Sequence, residues 1–339
     1  MIEISLTVMI MSPMHASASP TPDIAVFNGA VLLDQTGVIS AQGADAATFL
    51  HGQLSQDMNS LTAKEARLAA FCSAKGRMQA SFTVVRPDSE TFWLLTDAGV
   101  LPAIAKRLSM FVLRSKVKVL DARADLAVVG LLGAAAQTAC EAATVSTTPM
   151  ASALHASGQG VLIRLSDAYG VQRALWVGPR SALEAVMQGL PAVSANQWAW
   201  LEVMSGVIRI EPATVEQFVP QMVNYELVGG VNFKKGCYPG QEVVARSQYR
   251  GTLKRRTYLC HADAPMQAGQ EVFSAADPTQ PGGMVVNAAP SPDASGTYSA
   301  LVELKIQALD TPWHVGAAEG PALRLAELPY ALPSAEDNA

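Results

Sequence analysis

The sequence predicts an α+β protein of more than one domain, with two successive units of alternating strands and helices followed by a small β-barrel. Three observations carry this. The chain has 339 residues, half of them hydrophobic and 16% charged, which is more than one ordinary core serves and too apolar for a disordered chain. Strand-like and helix-like runs alternate twice between residues 24 and 205. Beyond Gly251 the pattern changes to short β-rich runs separated by Pro, Gly, Asp and Ser, the texture of a small barrel.

In chain order, Ile24–Phe27 and Ala30–Leu33 read as strands around an Asn28-Gly29 turn, and Val38–Ser40 as another. A helix opened by Asp45 or Gly43 follows, with Ala46, Phe49, Leu50 and Leu54 at helical spacing, so that His51 falls on another face as a surface or capping residue. Leu68–Cys72 and Met78–Arg86 read as a hairpin with Ser73–Arg77 as its turn, and Thr91–Leu95 as the next strand. Leu101–Phe111 is a helix with Leu101, Ile104, Leu108 and Phe111 on one face, and Lys116–Leu120 a strand. The second unit comprises a strand over Asp125–Leu132, a helix over Ala134–Ala143, strands at Val161–Leu165 and Arg173–Val177, and helices at Arg180–Gln188 and Ala195–Ser205. Gly130 and Gly133 fall short of a dinucleotide fingerprint. Trp198 and Trp200, two apart, cannot share a helix face, which gives one to the core and leaves the other for a pocket. Pro212 and Pro220 make Glu211–Val223 an irregular connection.

The stretch from Val231 to Arg256 combines unusual chemistry with unusual charge. Cys237 follows Lys234 and Lys235 and precedes a Tyr-Pro-Gly turn into a helical segment, Gln241–Gln248. A helix with Pro239 at its first position would aim free N–H groups at the sulfur. The lysines add to that field, so the expected thiol is more acidic than a free cysteine. Glu242 and Arg246 are spaced to pair along the helix. Residues 234–256 hold seven cations against Glu242 alone, a local balance of +6 in a chain of net charge −5.

The run KGCYPGQE (Lys235 to Glu242), followed by Ala245-Arg246 and Tyr249-Arg250-Gly251, resembles the signature of the YgfZ family of folate-binding proteins. GADAATFLHGQLSQDM at 43–58, CSAKGRMQASF at 72–82, RLSMFVLRSKVKV at 107–119 and FVPQMVNYELVGGVNF at 218–233 agree in order along the chain. The resemblance implies the fold of the glycine-cleavage aminomethyltransferase (T-protein), with a tetrahydrofolate pocket near the centre. The implied division is an N-terminal extension over 1–22, two intertwined α+β domains over 23–250, a β-barrel over 251–330 and a flexible tail over 331–339. It further implies an accessory role in assembly or repair of iron–sulfur clusters, with iron–sulfur proteins or their assembly machinery as partners and an indirect link to tRNA processing through iron–sulfur tRNA-modifying enzymes. On that reading Cys237 is the reactive thiolate, with Lys235 and Arg246 beside it.

Tetrahydrofolate has a pterin with amide-like edges, an aromatic middle and an anionic tail, so its site needs polar edge contacts, an apolar slot and a cation. The candidates are Asn224, Gln241 and Glu242 for the edges, Tyr238 or Trp198 for stacking, and Lys75, Arg77 or Arg246 for the tail. The alternative is a folate-dependent aminomethyl or one-carbon transferase, whose proton-managing acid no motif identifies. An RNA-binding role for the basic run 246–256 is the third reading; the acidic chain and the lack of interleaved aromatics there argue for no stable nucleic-acid binding.

Cys72, Cys140, Cys237 and Cys260 lie far apart without CxxC spacing, so neither a disulfide framework nor a metal site is expected, and a reducing, cytoplasmic setting is. Cys260 and His261 alternate to opposite strand faces and are not a ligand pair. The first twenty residues resemble the later half of a signal peptide but carry Glu3 where a positive region belongs, which reads as a disordered extension or an upstream start, with Met11 and Met14 as alternatives. The longest apolar stretch, Leu126–Ala136, is too short to span a bilayer, so a soluble protein is expected.

Overall fold

The structure, a computed structural model, describes residues 21–249, 253–293 and 295–333. Most of the expected extension and tail, and Arg250–Gly251, lie outside the described residues. The first unit runs β1 (Gly29–Leu32), β2 (Thr36–Gln42), α1 (Ala46–Gln53), β3 (Ala66–Cys72), β4 (Met78–Val85), β5 (Thr91–Asp97), α2 (Leu101–Met110) and β6 (Lys118–Asp121). Its antiparallel sheet has the order β3-β4-β5-β2-β6. The second unit runs β7 (Leu126–Leu132), α3 (Ala134–Ala142), β8 (Ser152–Leu154), β9 (Val161–Arg164), β10 (Arg173–Pro179), α4 (Leu183–Met187) and α5 (Ala195–Met204). Its sheet order is β1-β7-β10-β9-β8. The first strand therefore leaves its neighbours in sequence and pairs antiparallel with β7, which ties the two sheets together.

After α6 (Gln241–Tyr249), the strands β11 (Arg255–Ala262), β12 (Glu271–Ser274), β13 (Gly283–Pro290), β14 (Tyr298–Lys305), β15 (Trp313–Val315) and β16 (Ala322–Ala326) close into a barrel. Closure leaves no open sheet edge. Among the described residues no helix is long and apolar enough to cross a membrane.

Packing follows the residue patterns. Leu101, Ile104 and Leu108 of α2 are buried with Ile39, Phe92 and Val119 on the outer face of the first sheet, while α3 and α4 cover the second sheet against Ala127, Val129 and Trp176. The inner faces of both sheets share one core that extends to Leu259, Val286 and Leu301 of the barrel. Ser194 caps α5, its Oγ accepting from Gln197 N at 3.2 Å. Both tryptophans of α5 are buried, contrary to the expectation that one faces a pocket. The helix is wedged between layers, with Trp198 over Gly130, where a Cβ would lie 2.5 Å from its ring, and Trp200 donating from Nε1 to Ser299 Oγ of the barrel at 2.9 Å.

Other expectations need correction. Ile24–Val26 forms a 3-10 turn capped by Asp23 Oδ1, which accepts from Ala25 N, and the strand begins at Gly29. Phe111 follows the last residue of α2 and is exposed, because the helix ends before its stripe is complete. Arg180–Gln188 is a 3-10 turn over Arg180–Ala182 joined to a five-residue helix, Leu183–Met187. The short edge strand β8 carries no alternating pattern long enough to announce it. Glu211–Val223 is irregular as expected, with a 3-10 turn beginning at each proline.

Candidate functional site

The cysteine loop is held in place by residues on either side of Cys237. Asn232 N donates to Ser55 O at 2.9 Å, and Asn232 Oδ1 accepts from Lys234 N at 2.9 Å. Lys235 folds back onto the end of α1, its Nζ donating to Leu54 O at 2.8 Å and to His51 O, and it lies 4.8 Å from the centre of the Tyr238 ring. Tyr238 is buried, its hydroxyl without a hydrogen-bond partner, and burial pushes its phenol up. Cys237 itself is exposed. Cys72, Cys140 and Cys260 are buried, and burial pushes Cys72 and Cys260 up to about 12. Among the described residues Cys237 is thus the one thiol open to solvent.

Gly240 determines how the loop meets the rest of the protein. Its φ of +80° suits glycine, and a Cβ there would lie 2.3 Å from Ser73 O and 2.7 Å from the Cα of Gly76. Gly76, φ +73°, is in turn packed under Val243. Two glycines from distant stretches therefore let the Ser73–Arg77 turn and the Tyr238–Gly240 turn touch backbone to backbone. The left-handed Gly240 also moves the start of α6 to Gln241, correcting the expectation of Pro239 at the first helical position. The N–H groups of Gln241 and Val243 bond back to Tyr238 O and Gly240 O at 3.2 and 3.1 Å. Gln221 Nε2 secures the helix by donating to Val244 O at 2.8 Å.

The remaining sequence candidates are dispersed. Glu242 and Arg246 are exposed, and no ion pair joins them among the described residues, contrary to the pairing their spacing suggests. Lys75 stands exposed on the hairpin turn. Arg77 turns away to donate from Nη1 to Gln217 O, and to Glu216 O at 3.3 Å. Asn224 is fully buried, its Nδ2 donating to Thr257 O at 2.7 Å and its Oδ1 accepting from Arg256 Nη1 at 3.2 Å, so its amide is spent on the barrel. Gln241 is half-buried. His51 pairs through Nδ1 with Asp57 Oδ1 at 2.9 Å.

A separate feature lies at the centre. A cavity of about 380 Å³ opens where the two sheets, α5 and the barrel meet. Its apolar walls include Leu68, Phe82, Leu95 and Leu175. Arg209 Nη1 lies 3.3 Å from Glu202 Oε2, Nη2 lies 3.7 Å from Glu211 Oε1 and Nε lies 3.6 Å from Asp97 Oδ2. Burial would lower the Arg209 guanidinium, but the three carboxylates hold it up. Burial raises Glu211 against the pull of Arg209 and of Asn287, whose Nδ2 donates at 2.7 Å. Arg173, fully buried over the Trp198 ring, is pushed down to about 10 by that burial and leaves Nη1 without a partner. Trp198 supports Arg173 from behind and does not line the cavity; neither do the other sequence candidates. The cavity residues were detectable only as charges inside apolar runs, in VQRALWV around Arg173 and VIRIE around Arg209.

The cysteine loop and the cavity share a buried neighbour. Tyr225 lines the cavity, its hydroxyl donating toward Ala69 O at 3.3 Å, and both it and Tyr238 lie within electrostatic range of the Cys72 thiol. Among the described residues no group of three or more His, Cys, Asp or Glu is arranged to hold a metal ion.

Lys235 gives a pH-dependent test of this geometry. Burial pushes its ammonium down to about 8, while Asp57 and Cys237 pull it up. An unfolded lysine titrates near ~10.4, so between about pH 8 and 10.4 the unfolded chain binds more protons and this group's contribution to stability rises with pH. The urea stability of the wild type relative to Lys235→Met is expected to grow by on the order of 1 kcal/mol from pH 8 to 10, after allowing for solvent screening of a half-exposed group. A flat difference would mean that the amine stands free of the α1 carbonyls.

Two antiparallel sheets with helices on their outer faces, joined to a closed barrel around a central cavity, define a protein with the T-protein-like fold. Residues 24–169 match the family model described as the GCVT N-terminal domain. The glycine cleavage system aminomethyltransferase T from Bartonella henselae superposes with a TM-score of 0.71 at 17% identity, covering 89% of this chain and 86% of that one; at such identity the likeness speaks for the fold. Two sequence relatives, both described as tRNA-modifying protein YgfZ, are more specific. The one from Sodalis glossinidius is 30% identical over 309 residues, 89% of this chain and 93% of its own, and the one from Photobacterium profundum 30% identical over 260 residues, 74% and 73%. The chain belongs to the YgfZ family.

Proposed function

We propose that this protein binds tetrahydrofolate in the central cavity and serves assembly or repair of iron–sulfur clusters through Cys237, thereby supporting iron–sulfur enzymes that modify tRNA. The observation that carries the folate part is the cavity. Its volume of about 380 Å³ lies within the ~300–1,000 Å³ range of ligand pockets, and its chemistry suits the ligand. Leu68, Phe82, Leu95 and Leu175 offer an apolar slot, Glu202 and Glu211 can accept from the guanidine-like edge of a pterin, and the unpartnered Arg173 Nη1 is a donor awaiting an acceptor. The thiol part rests on the exposure of Cys237 when the other three thiols are buried. One thiolate cannot hold a cluster alone, so the cluster is cargo handled with a partner.

Titration of the purified protein with tetrahydrofolate tests the first part: Glu211→Gln is expected to weaken binding tenfold or more, and Cys237→Ser to leave it unchanged. The second part is tested in cells, where Cys237→Ser is expected to lower the activities of iron–sulfur tRNA-modifying enzymes. Unchanged activities would sink the thiol role, and undiminished binding by Glu211→Gln would move the folate elsewhere. Glu211 also keeps the transferase reading open, because a carboxyl raised by burial is the proton-managing group such chemistry needs. Turnover of an aminomethyl donor by the purified protein would favour it.

A further inference from the structure

The family-like stretch at 107–119 takes no part in the cavity or the cysteine loop. It forms the end of α2 and the turn into β6, and its charges are unusual. Lys106, Arg107, Arg114, Lys116 and Lys118 are all exposed, and no acidic residue occurs from Leu101 to Leu120. Among the described residues none of the five makes an ion pair, and the adjacent acids are engaged elsewhere. Asp121 pairs with Arg123 at 2.6 Å, and Asp45 Oδ2 accepts from the backbone N–H of Lys116 at 2.7 Å.

The basic run near the cysteine is different. Arg255 is bound to Glu303 at 2.8 Å, Arg256 to Glu226 at 2.5 Å, and Lys235 to the carbonyls of α1. In the basic run near the cysteine Lys234, Arg246 and Lys254 remain exposed beside Glu242, whereas the α2–β6 turn gathers five exposed cations with no acidic residue among them, in a chain whose net charge is −5. Beside them Met110, Phe111 and Leu113 are 69%, 43% and 86% exposed.

We propose that the α2–β6 turn is an RNA-docking surface, its cations meeting phosphates and Phe111 stacking on an unpaired base. Phosphate contacts need free cations, and single-stranded or loop RNA is read by exposed rings set among them. An anionic membrane is the other broad polyanion, and the geometry disfavours it. Val119 faces α2 in the core, so Lys118 points to the opposite side of the sheet from Lys106 and Arg107. A lipid plane laid against the α2 face, where Lys106 and Arg107 lie, would leave Lys118 out of reach. A nucleic-acid strand can cross over the sheet edge, and β6 is an edge strand paired only with β2.

The test is fluorescence anisotropy of labelled bulk tRNA with the full chain. Binding is expected to weaken with salt at a log–log slope of about −3.5 to −4.5, the value for five phosphate contacts. The triple variant Arg107→Gln, Arg114→Gln, Lys116→Gln should flatten the slope by about 2 to 3 and lower affinity at least tenfold. Phe111→Ala should weaken binding several-fold without changing the slope, and Cys237→Ser should have no effect, which separates this surface from the thiol chemistry. All the substituted side chains are exposed, and unchanged thermal melts verify folding. No binding at about 50 mM salt, binding indifferent to the triple variant, or binding to phosphatidylglycerol vesicles in preference to tRNA would overturn the assignment.

Discussion

Gly240→Ala is expected to destabilise the protein by about 2–5 kcal/mol and to detach the cysteine loop from the Ser73–Arg77 turn. Two costs add. An L-residue in the left-handed region loses about 1–2 kcal/mol, and forcing volume into a closed contact costs about 1–3 kcal/mol. Here a Cβ would lie 2.3 Å from the carbonyl oxygen of Ser73 and 2.7 Å from the N and Cα of Gly76. None of these is the flexible end of a side chain, so the backbone must separate. Urea denaturation gives the energy, and hydrogen exchange over 234–249 shows whether the loss is local. Gly52→Ala is the control: Gly52 lies inside α1 with nothing within 4 Å of a built Cβ, so alanine there should stabilise by about 0.5–1 kcal/mol. Equal effects at the two positions would show that the glycine contact is not tight.

The cysteine loop was legible in the sequence because its chemistry is local. Lys235, Cys237, Tyr238 and Gly240 lie within six residues, and charge, thiol and turn glycine announce themselves without a fold. What they touch was not legible. Nothing near Lys235 says that its ammonium ends on the carbonyls of α1, and nothing near Gly240 says that another glycine lies opposite. Asn224 shows the reverse failure, since an amide beside the motif suggested a ligand contact while the fold uses it to bind the barrel. The cavity was hidden for a related reason. Arg173, Glu202, Arg209 and Glu211 come from a strand, a helix and a connection that carry no motif, and only the packing of two sheets against a barrel brings them together. The two-sheet and barrel architecture could be read from alternation and turn spacing, whereas the transfer of β1 to the second sheet depends on pairing a hundred residues away.

The second large effect is expected from Arg256→Met, a loss of about 3–5 kcal/mol. Arg256 and Glu226 have side chains only 6% and 4% exposed and meet at 2.5 Å. Arg256 Nη1 also donates to Gln221 O at 3.1 Å and to Asn224 Oδ1 at 3.2 Å, so one guanidinium ties the first barrel strand to the connection that holds α6. Removing it leaves a buried carboxylate without a cation, and that uncompensated charge is the main cost. The pH dependence identifies the mechanism. Burial already raises the Glu226 carboxyl, with Arg256 opposing the shift, and without Arg256 it must rise further. A folded-state pKa above the unfolded value of ~4.3 gives a contribution that is present at low pH and lost as pH rises through the folded pKa. The penalty of Arg256→Met should therefore be largest near neutrality and shrink on acidification toward about pH 5, as the carboxyl takes up a proton and the buried charge disappears. Replacing both partners, Arg256→Met with Glu226→Leu, should recover most of the stability, because no charge is then left unpaired. A penalty independent of pH, or a double variant as unstable as the single one, would show that Arg256 acts through packing and its neutral hydrogen bonds rather than through Glu226.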